Sequence, residues 1–315
     1  MYFPVADIHI NPLIPPAVAF SISFFTSMSG VSGAFMLLPF QISVLGFNTP
    51  AVSATNQLFN IVAIPGGVYR YVREGRMVWP LAWVVIAGTL PGVLAGAVIR
   101  VKYLPDPVRF KIFAAFVLLY IGYRLVRDIF SAPDRSGKGG RSAEEEFQEL
   151  VKNFNADAGE MELPRIQVRE FTLASISYDF YGRNFTVNTF GISALSLIVG
   201  IVGGVYGIGG GAIIAPFFVS FFNLPVYTVA GAALMGTFVT SVAGVAFYQL
   251  LAPFYPGMSV APDWLLGFLF GIGGTAGMYC GARVQKFMPA RVIKIILAAS
   301  IFFVAAKYLW AYTGV

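Results

Sequence analysis

The chemistry available to this chain starts from main-chain atoms rather than side chains. Two strings, GVSGAFMLLP at 30–39 and GIGGGAIIAP at 207–216, each place a glycine, a second glycine three residues on and a proline six beyond that. Both interrupt apolar runs. Main chain opened in an apolar medium must find new hydrogen-bond partners, so a break survives only where it is buried in protein or lines a polar cavity. A helix starting at the break offers unpaired amides and the positive end of its dipole, the makings of an anion site. On this ground Gly30, Ser32, Gly33 and Ala34 in the first string are candidate substrate-binding positions, with Gly207, Gly209, Gly210 and Gly211 in the second. Close helix packing is the other use of such glycines.

Polar side chains inside apolar runs add to this set. Thr55, Asn56, Gln57 and Asn60 lie in one expected helix, and Thr237, Thr240 and Ser241 in another. Buried amides and hydroxyls cost free energy unless paired. They either tie neighbouring helices together or line a path on which they donate to an oxyanion.

Other chemistry is poorly supplied. No Asp or Glu lies in the middle of an apolar run, which disfavours a carboxylate relay for protons and a cation as substrate. The one histidine, His9, precedes the first apolar run, and Cys280 is the one cysteine. No catalytic residue, metal site or cofactor is therefore expected, and the chain does not read as an enzyme. Gly207, Gly209 and Ala212 loosely fit a dinucleotide fingerprint, but the run before them is helix-length and no acid follows until Asp263.

The elements that must carry these residues follow from composition. Of 315 residues, 57% are hydrophobic and 11% charged, against roughly 25% charged in a soluble domain. The expected fold is an all-α polytopic membrane protein. Helices are expected at about 14–29, 33–47, 50–69, 78–101, 108–128, 188–206, 211–223, 226–250, 264–284 and 289–312, most near the ~20 residues a bilayer requires. The runs 33–47 and 211–223 are too short to span comfortably, and each follows a glycine break.

The order of features repeats. After each glycine string come a second proline (Pro50, Pro225), a helix of small and polar residues, and a helix with glycines four apart: Gly88, Gly92 and Gly96, then Gly273, Gly277 and Gly281. A basic proline loop follows in each case, KYLP at 102–105 and KFMP at 286–289, and then a last apolar helix. This predicts two homologous halves, 1–130 and 188–315, each with a glycine-broken hairpin and three transmembrane helices. The glycine triplets read as packing seams, since spacing four puts them on one helical face.

Between the halves, 131–187 is a soluble insertion. It holds ten of the fifteen acidic residues, starts with the polar SAPDRSGKGGRSAEEE, and alternates apolar and polar residues over 166–187 as exposed strands do. It reads as a small β-rich cap, with a partner-binding or regulatory element as the alternative. The basic loop 283–294 should be cytoplasmic. In the first half both loops are basic, one with Arg70, Arg73 and Arg76 and the next with Arg100, Lys102, Arg109 and Lys111, so charge alone leaves inverted and parallel arrangements open, with the inverted one favoured. The basic residues sit in short loops, not on a contiguous surface that would suit nucleic acid.

With the paired strings GVSGAFMLLP and GIGGGAIIAP in view, the chain resembles the TauE/SafE sulfite exporter family. Trp79 after REGRMV and Trp264 after SVAPD match the family's tryptophan, and Ala54–Thr55 matches its Ala-Thr pair, replaced by Val229–Ala230 in the second half. Ser32 and Ala34 stand where glycine is usual, and the 131–186 stretch is longer than the usual connector. The resemblance implies a bacterial inner-membrane protein that exports a small sulfur oxyanion, sulfite or an organosulfonate. Uptake or exchange of another small anion, and a sensor or assembly subunit acting through 131–187, are the alternatives.

Overall fold

The computed structural model describes residues 1–28, 32–73, 75, 77–130, 166–180, 183–222, 224, 226–284 and 290–310. Gly30, Pro225, the polar start of the insertion and the loop 286–289 lie outside the described residues. A two-residue ribbon, β1 (Tyr2–Phe3) against β2 (Ile8–His9), precedes α1 (Ile14–Met28) and α2 (Ala34–Ser43). Then come α3 (Ala51–Ala63), α4 (Pro65–Arg73), α5 (Trp79–Lys102) and α6 (Pro107–Phe130). A small sheet, β3 (Gln167–Phe171), β4 (Ser175–Phe180) and β5 (Arg183–Asn188), leads into α7 (Thr189–Tyr206) and α8 (Ile214–Phe221). The chain closes with α9 (Val226–Leu251), α10 (Trp264–Val284) and α11 (Ala290–Trp310).

Among the described residues, four helical runs are long and apolar enough to cross a membrane: 79–102, 189–206, 228–254 and 264–281. Shorter apolar helices accompany them, including α2 and most of α1. The single helix expected over 50–69 is two, α3 and α4. Pro65 has no N–H to continue the ladder, so α3 stops although Ile64 keeps helical angles (φ −82, ψ −31), and a second helix begins on the proline.

Helix pairing is dominated by three long contacts: α5 along α7, α1 along α10, and α6 along α11. The first two are the glycine seams. A Cβ added at Gly88 would lie 2.6 Å from Ser196 Cβ, one at Gly92 2.4 Å from the Leu197 carbonyl, and one at Gly96 2.4 Å from the Ile201 carbonyl. The partner rises in step with the glycine, so α5 and α7 run parallel. Gly273, Gly277 and Gly281 meet the carbonyls of Pro16, Phe20 and Phe24 at 2.0, 2.2 and 2.3 Å in the same way. In both seams main chain lies directly against main chain, a separation that only glycine permits.

The alternation over 166–187 becomes the antiparallel sheet β3–β4–β5, with Ile176 opposite Val187 and Tyr178 opposite Phe185. The face of β4 carrying Ile176, Tyr178 and Phe180 is buried, whereas β3 is exposed along its length. The Tyr178 hydroxyl meets Thr228 Oγ1 at 2.8 Å, and burial pushes that phenol up to about 12. The Ile166 amide donates to the Gly75 carbonyl at 3.3 Å, so the sheet touches both the end of α4 and the start of α9.

Gly92→Ala should lower thermal stability in detergent by about 1–3 kcal/mol, because the backbone it meets cannot turn aside. Gly257→Ala, with nothing within 4 Å of the new methyl, should be neutral. Equal melting temperatures for the two variants would refute the seam.

Candidate functional site

The main chain opens at two places, and one side chain joins them. α7 ends at Gly207, which has φ +81, and Gly209 follows with φ +76 before α8 begins at Ile214. Both angles lie in the left-handed region that glycine adopts freely. The carbonyls released by this turn, and the amides at the start of α2, cannot turn to water inside the bundle. Asn56 Nδ2 donates to the Ala34 carbonyl of the first break and the Gly207 carbonyl of the second, both at 2.9 Å. Its Oδ1 accepts from Gln41 Nε2 at 3.3 Å. One turn along α3, Asn60 Nδ2 donates to the Ile208 carbonyl at 3.0 Å and to Ser241 Oγ at 3.4 Å. Ser32 Oγ closes the network on Asn60 Oδ1 at 3.3 Å.

Proline contributes a further link. Pro39, inside α2, cannot donate to the carbonyl four residues back, that of Phe35. The Tyr206 hydroxyl, at the last residue of α7, occupies that carbonyl at 2.9 Å. Each break is thus tied to the other by Asn56 and again by Tyr206.

Both breaks also present amides to neutral hydroxyls. The Ala34 amide donates to Ser32 Oγ at 3.3 Å, and the Gly210 amide to Thr240 Oγ1 at 3.0 Å. The glycines at the second break leave no room for side chains. A Cβ at Gly207 would meet Ser53 at 2.5 Å, at Gly209 the Ser241 hydroxyl at 2.8 Å, at Gly210 Thr89 at 2.3 Å, and at Gly211 the Ala233 carbonyl at 2.0 Å. At Gly33, the residue before α2, the contact is Ser23 Oγ at 3.0 Å.

Of the residues singled out from sequence, Ser32, Gly33, Ala34, Asn56, Asn60, Gly207, Gly209, Gly210, Gly211, Thr237, Thr240 and Ser241 come together here. Thr237 Oγ1 is turned onto the Ala233 carbonyl of its own helix at 2.9 Å. Thr55 faces elsewhere, accepting the Asp263 amide at 2.9 Å and so fixing the start of α10. Gln57 is buried against Gly244 with neither end of its amide partnered among the described residues. Sequence reasoning passed over Gln41, Ser53, Thr89, Tyr206 and Arg100. The first four are single polar groups in apolar runs, a weak signal. Arg100 was counted with the loop cations and is fully buried instead.

An apolar helical bundle whose interior holds opened main chain and a polar side-chain network is the architecture of α-helical membrane transporters. The chain belongs to the sulfite exporter TauE/SafE family, whose model matches residues 16–308. It is similar to the probable membrane transporter protein YunE of Bacillus subtilis (strain 168), 19% identical over 291 residues that cover 90% of this chain and 92% of that protein. No solved structure matches it.

Asn56→Ala would strand the Gly207 carbonyl, at about 1–3 kcal/mol, and cut the tie to the Ala34 carbonyl, which keeps its place in the α2 ladder. Thermal unfolding should show Asn56→Ala as far more damaging than Gln57→Leu, which removes two unpaired polar atoms and should be neutral or stabilising. The reverse order would mean that Asn56 does not hold the breaks together.

Proposed function

We propose that this membrane transporter exports a small oxyanion, of the sulfite or organosulfonate class, through a site where its two helix breaks meet. The observation that carries the reading is the amide at each break donating to a hydroxyl: Ala34 to Ser32, and Gly210 to Thr240. A charged oxygen accepts a hydrogen bond about twice as strongly as a neutral one, so an oxyanion displaces such hydroxyls. Gly33 and Ala34 on one side and Gly209–Gly211 on the other then receive the anion, with Thr237 beside them and Gln57 a turn before Asn60 on α3, against Gly244. Sulfite is supported by the family and by the sign of charge that amides prefer.

The pairing supports two homologous halves in inverted orientation. Exchanging α1 with α7, α3 with α9, α5 with α10 and α6 with α11 turns each principal contact into another: α5–α7 into α1–α10, α5–α9 into α3–α10, while α6–α11 and α3–α9 map onto themselves. Gln57 beside Gly244 and Asn60 beside Ser241 make α3 antiparallel to α9. The seams then align α5 and α7 with α9, and α1 and α10 with α3.

With Arg100 buried, the basic residues divide unevenly between the two ends of the bundle. By the helix ends they lie on, Arg70, Arg73, Arg127, Arg283, Arg291 and Lys294 belong to the end of the sheet, and Lys102, Arg109, Lys111 and Lys307 to the other. The positive-inside rule puts the sheet in the cytoplasm and both termini outside, in a bacterial inner membrane. Export then runs with the membrane potential. One negative charge leaving a negative interior gains about 2.3 kcal/mol per 100 mV, roughly a forty-fold gradient without a coupling ion.

In proteoliposomes with an imposed potential, sulfite efflux should be lost in Gly210→Leu and reduced at least tenfold in Gln57→Leu, both eluting as folded protein. Wild-type flux in both variants would move the site elsewhere, and flux of a carboxylate in place of sulfite would change the substrate class. In a Cys280→Ala background, Leu173→Cys should react with an impermeant maleimide only from the cytoplasm and Gly257→Cys only from outside. The opposite labelling would invert the orientation.

A further inference from the structure

Arg100 lies in the last turns of α5, yet its side chain is 0% exposed. Its guanidinium is only partly engaged. Nη1 donates to the Leu104 carbonyl, Nε reaches Ser53 Oγ at 3.4 Å, and Cζ sits 3.8 Å above the Phe110 ring. Nη2 is buried without a partner, and no carboxylate pairs with the group among the described residues. A helix C-terminal cap accounts for Nη1, and stacking accounts for one face. Neither neutralises the charge. An uncompensated buried cation is costly, and inside a membrane bundle such a group marks a ligand or ion path.

Its surroundings lead to the second break. Ser53, which receives Nε, donates its own hydrogen to the Val205 carbonyl at 3.2 Å, two residues before Gly207. A Cβ at Gly207 would lie 2.5 Å from Ser53. Tyr248 borders Arg100 and Ser53, and its hydroxyl donates to the Gly204 carbonyl at 3.3 Å. On the other side lies a small apolar cluster of Ala54, Ala97, Val101, Tyr248 and Val260, packed against Leu251, Tyr255 and Met258. Through Val260, Tyr255 and Met258 this cluster includes residues of the 252–263 loop.

We infer that Arg100, with the Ser53 and Tyr248 hydroxyls, forms a second anion subsite beyond the glycine turn, where the guanidinium takes a small oxyanion as its missing counter-charge. The inference deepens the transport reading and rests on it: an anion leaving the amides at Gly209–Gly211 would meet a fixed positive charge before the outer apolar cluster opens. A guanidinium offers paired N–H donors that match two oxygens of a sulfite or sulfonate.

The test is ligand-induced thermal stabilisation of the full chain in detergent, titrated with sodium sulfite and with methanesulfonate against equal sodium chloride. Arg100→Gln should weaken the apparent Kd for both at least tenfold, with Arg100→Lys in between. The apo melting temperature of Arg100→Gln should be equal to or above wild type, since an unpaired buried charge is removed. An apo melting temperature that falls while the anion titration is unchanged would make Arg100 a helix cap only and overturn the subsite. Loss of binding in Gly210→Leu together with normal binding in Arg100→Gln would reject the subsite and keep the transport site. No stabilisation of the wild type by either anion would reject both.

Discussion

A single carboxamide ties the two openings of this fold together and keeps the Gly207 carbonyl from being stranded. Asn56 spends both of its N–H bonds on main-chain oxygens from breaks far apart in sequence, Ala34 and Gly207. Within an apolar bundle there is no water to take over, so whatever opens a helix must also supply its partner. Much of the surrounding arrangement follows. α3 must lie where it reaches both breaks, α7 must stop within reach of that amide, and Gly207 must turn left-handed so that its carbonyl points back. Asn60 and Tyr206 repeat the solution on neighbouring carbonyls, each joining an element from before the sheet to one after it.

The same requirement explains the seams. With Asn56 and Asn60 joining α3 to the residues around α2 and α7, α5 lies close to α7 and α1 close to α10, at distances where a methyl group does not fit. Glycine at spacing four is thus a demand of the interior passed outward to the helices that enclose it. Close main-chain contact also replaces the hydrophobic driving force, which lipid does not provide between helices.

Much of this was legible in the chain. The breaks showed as glycine strings in apolar runs, the seams as glycines on one helical face, and the sheet as strict alternation after a polar stretch. The amides of Asn56 and Asn60 stood out because nothing apolar explains them, but their partners were not readable. Those are carbonyls in another part of the chain, and a carbonyl carries no residue type. Arg100 was misread for a related reason. A basic residue near the end of an apolar run usually marks a membrane boundary, and its burial depends on Leu104 turning back and Phe110 arriving beneath it. The split of 50–69 was written in Pro65, which the apolar composition on both sides concealed.

The pairing of α1 with α10 bears on biosynthesis. The α1 helix rests against one whose synthesis begins only at Trp264, long after its own. Until then the α1 surface beneath Gly273 and Gly277 lacks its partner. Packing along α1 is therefore completed late, although α2 and α3 meet early through Asn56 and Asn60, and the inserted α1 must stay competent for α10 throughout. Cells making this transporter would accordingly have to shield its early helices from membrane proteases for most of that interval.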